Sequence, residues 1–211
     1  MEDGKIYGFY AMLDRMQYIN RWGLMRNNRL ENIKEHSFDV AVIAHALAVI
    51  HNNMGYDDIR VEPYKVQAFA LYHDCTEIIT GDLPTPIKYR NEEIKAAYKE
   101  VEREAAERLA SLLPEDMREE YLVLLEPSFS EDESPEQKLT VRLVKAADRI
   151  SAYIKCMSEE ASGNREFESA QATIKESIDN INLREVDYFM EKFIPSYGFT
   201  LDRLNGRSEQ G

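Results

Sequence analysis

The stretch 32–52 constrains this chain more than any other. Asn32-Ile33-Lys34-Glu35 has the form of a capping box, an Asn followed three residues later by a Glu. The two side chains of such a box satisfy backbone N–H groups that a helix leaves unpaired at its start. Behind it, His36, Val40, Ile43, Leu47 and Ile50 recur at spacings of four, three, four and three. That is the repeat of one helix face and not the alternation of a strand. His36 therefore heads an apolar stripe and faces inward. His45, nine residues on, falls on the opposite side at ~100° per residue.

The same period recurs along the chain. Residues 5–19 carry Ile6, Phe9, Tyr10, Leu13, Met16 and Ile19 at near-helical spacing, until Asn20-Arg21-Trp22-Gly23 breaks the pattern. Residues 62–80 read as one buried helix with Val66, Phe69 and Ala70 inward. Residues 91–113, 115–125, 136–160, 165–180 and 183–193 read as further amphipathic helices, with Pro114 and Pro195 as stops. Residues 127–135 form a polar, acidic loop, and no run of strand length alternates with period two. The expected fold is all-α, a helical bundle forming a single domain over residues 1–211.

Composition narrows the partners. The net charge is −13, so the basic footprint of a protein that binds a nucleic-acid polymer is missing. A small anionic substrate would need local cations or a metal ion against that field. No apolar run approaches the ~18 residues of a membrane span. The start, Met1-Glu2-Asp3-Gly4-Lys5, lacks the pattern of a signal peptide. Cys75 and Cys156 form neither a ligand pair nor a disulfide framework, and read as reduced packing residues. The expected location is cytoplasmic, with no membrane association.

The chemistry concentrates in Tyr72-His73-Asp74-Cys75-Thr76-Glu77. On a continuous helix, His73 extends the face of Val66, Phe69 and Ala70, and Glu77 shares the side of His73 and Asp74. Titratable groups crowded at the end of an apolar helix are costly to bury without a partner, and a metal ion is the simplest partner. Gly81 offers a stop, and Pro84 and Pro86 stiffen the chain beyond it. A further carboxylate, Asp148, edges the stripe of Leu139, Leu143, Ala147, Ile150, Ile154 and Met157, with small Ala146 and Ala147 before it. Alone, each residue has an ordinary reading: His36 a hydrogen-bonded core residue, Asp148 a surface partner of Lys145 or Arg149, Trp22 a core residue, Arg21 a surface cation. Together, inward-facing His36, His73, Asp74 and Asp148 supply two nitrogens and two carboxylates, a set that suits Mn, Co, Fe, Zn or Mg.

Several stretches add specificity: Ile19-Asn20-Arg21-Trp22, Met25-Arg26-Asn27, Glu31-Asn32 with Glu35-His36-Ser37, and Tyr72-His73-Asp74. They continue with Thr80-Gly81-Asp82-Leu83-Pro84-Thr85-Pro86-Ile87-Lys88-Tyr89, Val144-Lys145-Ala146-Ala147-Asp148, Ala152-Tyr153-Ile154-Lys155-Cys156 and Asp187-Tyr188-Phe189-Met190-Glu191. With these, the chain resembles the HD phosphohydrolase superfamily, whose pattern is His…His-Asp…Asp on a helical bundle. Within it, the chain is most similar to the bacterial HD-domain 5′-deoxynucleotidases, which hydrolyse deoxyribonucleoside 5′-monophosphates. The His-Asp pair alone points only to the superfamily. The Gly-Asp-Leu-Pro-Thr-Pro segment combined with Arg-Trp is far more specific.

The resemblance implies one divalent metal ion (Co, Mn, Zn, Mg or similar) held by His36, His73, Asp74 and Asp148. It makes Glu77, Arg21 and Asp82 catalytic, and has Arg21, Trp22, Asp74, Asp82, Leu83, Pro84, Thr85 and Asp148 meet the substrate. It also implies a homodimer. All four histidines, His36, His45, His51 and His73, precede residue 74, whereas dinuclear members of the superfamily use later histidines; the site is read as mononuclear. The leaving O5′ needs a proton, from Asp82 or a second water. Lys88, Lys145 and Lys155 read as solvated. Two other readings are an HD hydrolase of another nucleotide phosphoester and a non-catalytic helical sensor of metal or nucleotide.

Overall fold

The computed structural model describes residues 4–88, 90–130, 132 and 134–206, without the side chains of Thr85 and Pro86. The elements are all helical: α1 Phe9–Asp14, α2 Ile33–Met54, α3 Pro63–Tyr72, α4 Glu77–Thr80, α5 Thr85–Lys88, α6 Glu92–Ala110, α7 Glu115–Leu125, α8 Pro135–Ala161, α9 Glu168–Asp179, α10 Arg184–Lys192 and α11 Leu201–Leu204. Among the described residues there is no strand, and one isolated antiparallel bridge joins Asn20 to Asn32. Among them, too, no helix is long and apolar enough to cross a membrane.

α2 is the axis of the bundle. Its start is the expected capping box: the Asn32 side chain accepts from the backbone N–H of Lys34 and Glu35, and Glu35 reaches back to the Asn32 N–H. Its end is Gly55 at φ 61°, a left-handed cap that glycine adopts without steric penalty. The 22 residues between extend ~33 Å. Ala41, Ala44 and Ala48 are buried on α2. Such small side chains let α3 and α8, its two main neighbours, come close. Val40, Ile43 and Leu47 meet Val66 and Phe69 of α3 and Leu139, Leu143 and Ile150 of α8 in one core. Each such side chain contributes ~1.5–3 kcal/mol on burial. Val186 and Phe189 of α10 complete this core.

A second apolar cluster gathers Phe9, Met16, Ile33, Cys75, Leu109, Leu113 and Leu125 from α1 and the 3-10 turn after it, the start of α2, the turn after α3, α6 and its end, and α7. Ile33 belongs to this cluster and Val40 to the first. His36, between them in sequence and fully buried, therefore sits at the seam of the two cores.

The structure departs from the expectation of one helix over 62–80. α3 ends at Tyr72, residues 73–76 form tight turns, and α4 begins at Glu77. The turns use i→i+3 bonds, Cys75 N–H to the Tyr72 carbonyl at 3.1 Å and Glu77 N–H to the Asp74 carbonyl at 3.0 Å. The cause lies in His73, whose Nδ1–H donates to the Ala70 carbonyl at 2.6 Å, the group a continuous helix reserves for the Asp74 N–H. With about three residues per turn, Glu77 follows the direction of Asp74 and not that of His73. Gly81, at φ 74° and ψ 160°, then turns the chain out in a conformation restricted to glycine.

The two expected packing cysteines are free and buried. Lys155 departs from the solvated reading, being 7% exposed. Lys88 is half-buried and bonds Glu102 at 2.6 Å, while Lys145 is exposed as expected. α10 ends at Lys192, before the expected stop at Pro195, and a 3-10 turn, Ile194–Gly198, that contains Pro195 leads on to the short α11 within the expected polar tail. Of the loop 127–135, Glu131 and Glu133 lie outside the described residues, and Pro127–Phe129 is a 3-10 turn.

Candidate metal centre

Three elements bring the site together. α2 supplies His36 one turn into the helix, the turn after α3 supplies His73 and Asp74, and α8 supplies Asp148. His36, His73 and Asp74 each present one ligand atom, and these atoms lie within 4.8 Å of one another. Asp148 joins from the His36 side, its Oδ1 3.0 Å from His36 Nε2, where the reading as a surface partner of Lys145 or Arg149 placed it elsewhere. Its side chain is 40% exposed, which leaves it accessible to a ligand.

The donor chemistry fits a cation. His73 Nδ1 is committed to the Ala70 carbonyl, so its proton is there and Nε2 points at the centre. That Nε2 is buried without a hydrogen bond among the described residues, although Asp74 Oδ2 is 3.2 Å away. Burial pulls the His73 imidazole towards neutrality, but Asp74 outweighs this and raises its pKa. Burial alone would raise the Asp74 carboxyl, and His73, His36 and Arg21 instead hold it well below the usual range. A cation at this point would face a carboxylate that is already ionised.

His36 is tuned differently. Its Nδ1 lies 2.6 Å from Arg21 Nη1 and 3.1 Å from Ser151 Oγ. Arginine only donates, so in this arrangement Nδ1 accepts and Nε2 carries the proton donated to Asp148. Burial and then the Arg21 charge lower its pKa, keeping the ring neutral. Nε2 could meet a cation only with the proton on Nδ1, which could then donate to the Ser151 hydroxyl. Removing that acceptor by Ser151→Ala is expected to weaken metal affinity by about 10- to 100-fold, measured by titrating the metal-free protein. An unchanged affinity would assign Ser151 to packing alone.

Arg21 is central on the other side. Nη1 also donates to Glu31 Oε2 at 3.1 Å, and Nη2 is 3.8 Å from Asp148 Oδ1. Burial works against its charge, but Asp148, Glu31, Asp74 and Asp82 prevail and raise its pKa. Trp22 follows with φ 61°, a left-handed backbone costing a non-glycine residue about 1–3 kcal/mol. Its indole N–H donates to the same Glu31 Oε2 at 3.0 Å, and its ring meets Phe167 edge-on at 5.3 Å. The Trp22 backbone N–H faces the Asp82 carboxylate, so the loops at 20–31 and 81–84 meet at this point. Burial raises the Asp82 carboxyl, and Arg21 opposes it.

Glu77 is 8% exposed, and its Oε2 has no hydrogen-bond partner among the described residues. Burial, then Asp74 and Asp82, push its carboxyl up to about 9. Displaced carboxyls of this kind are found both in active sites and in structural charge clusters. Leu83 and Pro84 follow Asp82 directly and are half-buried, and the Thr85 side chain lies outside the described residues.

Glu31 lies in one of the stretches that carry the resemblance but has no role assigned by it, and Ser151 and Phe167 carry no motif. Glu31 falls in an irregular loop, and Ser151 is a small polar residue on an apolar helix face. A cavity of about 440 Å³, lined by Met12, Arg15, Ile79 and Leu109 among others, opens elsewhere and includes none of the convergent ligands. The site is marked by its donors, not by its volume.

Comparison with known proteins agrees with this geometry. Residues 8–197 match the family described as 5′-deoxynucleotidase YfbR-like. A 5′-deoxynucleotidase of Erwinia tasmaniensis is 42% identical over 200 residues, covering 95% of this chain and 97% of the relative. The 5′-deoxynucleotidase YfbR of Escherichia coli (ATCC 8739) is 42% identical over 198 residues, covering 93% and 95%. Among solved structures, an HD-domain phosphohydrolase from Listeria innocua aligns at TM-score 0.73 and 23% identity over 90% of this chain and 87% of its own. A cyanophage S-2L HD phosphohydrolase bound to dA and one catalytic Zn2+ ion aligns at TM-score 0.60 and 20% identity over 89% and 95%. The fold is that of the HD phosphohydrolases, and the chain belongs to the YfbR-like 5′-deoxynucleotidase family.

Proposed function

We propose that this protein hydrolyses 2′-deoxyribonucleoside 5′-monophosphates to the deoxyribonucleoside and phosphate. The observation that carries the reading is the convergence of His36, His73 and Asp74, with Asp148 and Arg21 beside them, in a chain 42% identical to curated 5′-deoxynucleotidases. His36, His73, Asp74 and Asp148 hold one divalent ion, of the class Co, Mn, Zn or Mg. Such an ion supplies Lewis-acid charge to a phosphate oxygen and acidifies a water.

The chain's own residues do the rest. Arg21, forked and always charged, orients the phosphate dianion and matches its spread of negative oxygens. In reaching it, Arg21 leaves His36 Nδ1, which frees that nitrogen to donate to Ser151. Glu77 takes the proton of the attacking water. Burial first, then Asp74 and Asp82, raise its carboxyl to about 9; a cation offsetting the two carboxylates, with water entering beside it, would lower it towards a base. Asp82 ties the two loops and, raised by burial, is suited to give the leaving O5′ its proton. Trp22, Leu83, Pro84 and Thr85 close around the sugar, where a wall near C2′ excludes a hydroxyl by fit.

We read residues 1–211 as one domain, cytoplasmic, with no nucleic-acid polymer or membrane as partner. Phe38 and Val42, 63% and 50% exposed on the outer side of α2, favour a homodimer. Sedimentation at micromolar concentration checks this, and a lone 24.5 kDa species would remove it.

The decisive assay is phosphate release from a deoxyribonucleoside 5′-monophosphate, its ribo equivalent and the 3′-isomer, after chelation and again with Mn, Co, Zn or Mg restored. Metal-dependent release from the 5′-deoxy compound alone is expected. Release from both sugars would remove the selectivity argument. No release with any metal would turn the reading to another phosphoester or to a sensor.

A further inference from the structure

The segment 20–31 carries Arg21 and Trp22 but contains no helix, and Trp22 holds a strained backbone. Local bonds account for part of its order. The Arg21 N–H donates to the Glu31 carbonyl at 2.9 Å, and Asn27 Nδ2 donates to the carbonyls of Trp22 and Met25 at 3.2 and 2.9 Å. The remainder comes from the far end of α8. Glu159, 1% exposed, accepts the backbone N–H of Asn28 on Oε2 at 2.9 Å and that of Arg29 on Oε1 at 3.2 Å. Lys155 Nζ donates to both Glu159 and the Arg29 carbonyl. Asn164 Nδ2 donates to Glu159 Oε2 and to the Arg26 carbonyl, each at 2.8 Å.

This cluster is unlike an ordinary buried ion pair. Burying a carboxylate and an ammonium is costly, and an apolar pair of similar volume often serves stability as well. Here the charges terminate on the backbone of residues 26–29, just past Arg21 and Trp22. Phe167, against which Trp22 packs, also lies 5.5 Å from Lys155 Nζ. The Glu159 carboxyl, lowered to about 2 despite burial by Lys155, Asn164 and the two backbone donors, stays ionised. α8 meanwhile carries Asp148 eleven residues earlier, ~16 Å along the same rod. One rigid helix therefore positions both a metal-facing carboxylate and the anchor of the Arg21–Trp22 loop.

We propose that Glu159, Lys155 and Asn164 form a buried clamp that positions the Arg21–Trp22 loop and so sets the grip on phosphate and deoxyribose. They are positioning residues, remote from the reacting atoms. The proposal rests on the assignment of Arg21 and Trp22 to the substrate made above.

Trp22 is the sole tryptophan, so intrinsic fluorescence reports on this loop directly. Glu159→Gln keeps the shape but turns one acceptor oxygen into a donor facing N–H groups. Asn164→Ala removes the two Nδ2 bonds, together with the one its Oδ1 accepts from the Glu166 N–H, and serves where the Gln variant does not fold. Expected in each is a shifted Trp22 emission with greater acrylamide quenching. A fall of about 10- to 100-fold in kcat/KM should accompany it, carried mainly by KM, with weaker discrimination of deoxy from ribo substrate. Helix content and metal affinity should match the parent protein. A purely structural role would lower the amount of active enzyme and leave KM and discrimination alone.

Unchanged Trp22 emission and quenching in both variants would overturn the clamp, as would altered emission with parental KM and discrimination. Trp22→Ala separates the two layers of argument. Were it to leave KM and discrimination unchanged, the substrate assignment would be what failed, and the clamp would be judged on fluorescence alone.

Discussion

Glu77→Gln is expected to lower kcat by about 10²–10⁴-fold, the range a positioned general base supplies, while metal binding stays at the parental level. Gln has nearly the shape of Glu and no charge. The buried position is already costly for a carboxylate, whose pKa is displaced to about 9 by burial and by Asp74 and Asp82. The fold therefore has no need of the ionised form, and the variant should melt no lower than the parent when both are metal-free. Separate measurements of kcat, metal affinity and melting temperature make the role specific. A variant that turned over at the parental rate would show that Glu77 takes no proton.

Asp74→Asn is expected to abolish metal-dependent activity and, independently, the stabilisation that metal confers. Ligand at about 1,000 times its dissociation constant stabilises the native state by about 4 kcal/mol. For a chain of this size that corresponds to roughly 8–16 °C of melting temperature. Parent protein melted with and without Mn, Co or Zn should show such a shift, and the Asn variant should show little of it. Without metal the variant should be somewhat less stable than the parent, because it loses a carboxylate whose ionised form His73, His36 and Arg21 favour. A full metal shift in Asp74→Asn would remove Asp74 from the ligand set and leave His36, His73 and Asp148 to account for binding.

How far these residues were legible in sequence depended on whether their neighbours were local. The capping box at Asn32 and Glu35 and the inward position of His36 follow from spacing on one helix, and the structure has both. The His73-Asp74 pair was visible as a motif, but its geometry was not. Its spacing reads as a continuous helix, and the break after Tyr72 arises from the His73 bond to the Ala70 carbonyl. That bond competes with the backbone, and no propensity encodes it. Glu77 came out beside Asp74 through a turn of i→i+3 bonds, a different path from the one its spacing suggested. Lys155 shows the limit most clearly. A lysine among apolar residues on an amphipathic helix reads as solvated, and it is buried because Glu159 and the Arg29 carbonyl await it.

The sequence by itself determined the helical class, the order of the long helices, the inward faces and the residue types that make a mixed nitrogen and carboxylate site. These are set by periodicity, caps and stops, which act within a few residues along the chain. The tertiary structure alone decided which groups share the centre and in what protonation state. The seam between two apolar clusters brings Asp148 to His36 across 112 residues, sets Arg21 on His36 Nδ1, and places Glu159 beneath the loop of Trp22. Those pairings are electrostatic and steric consequences of packing between distant segments. A single chain read residue by residue carries the charges, but only packing decides what each charge faces.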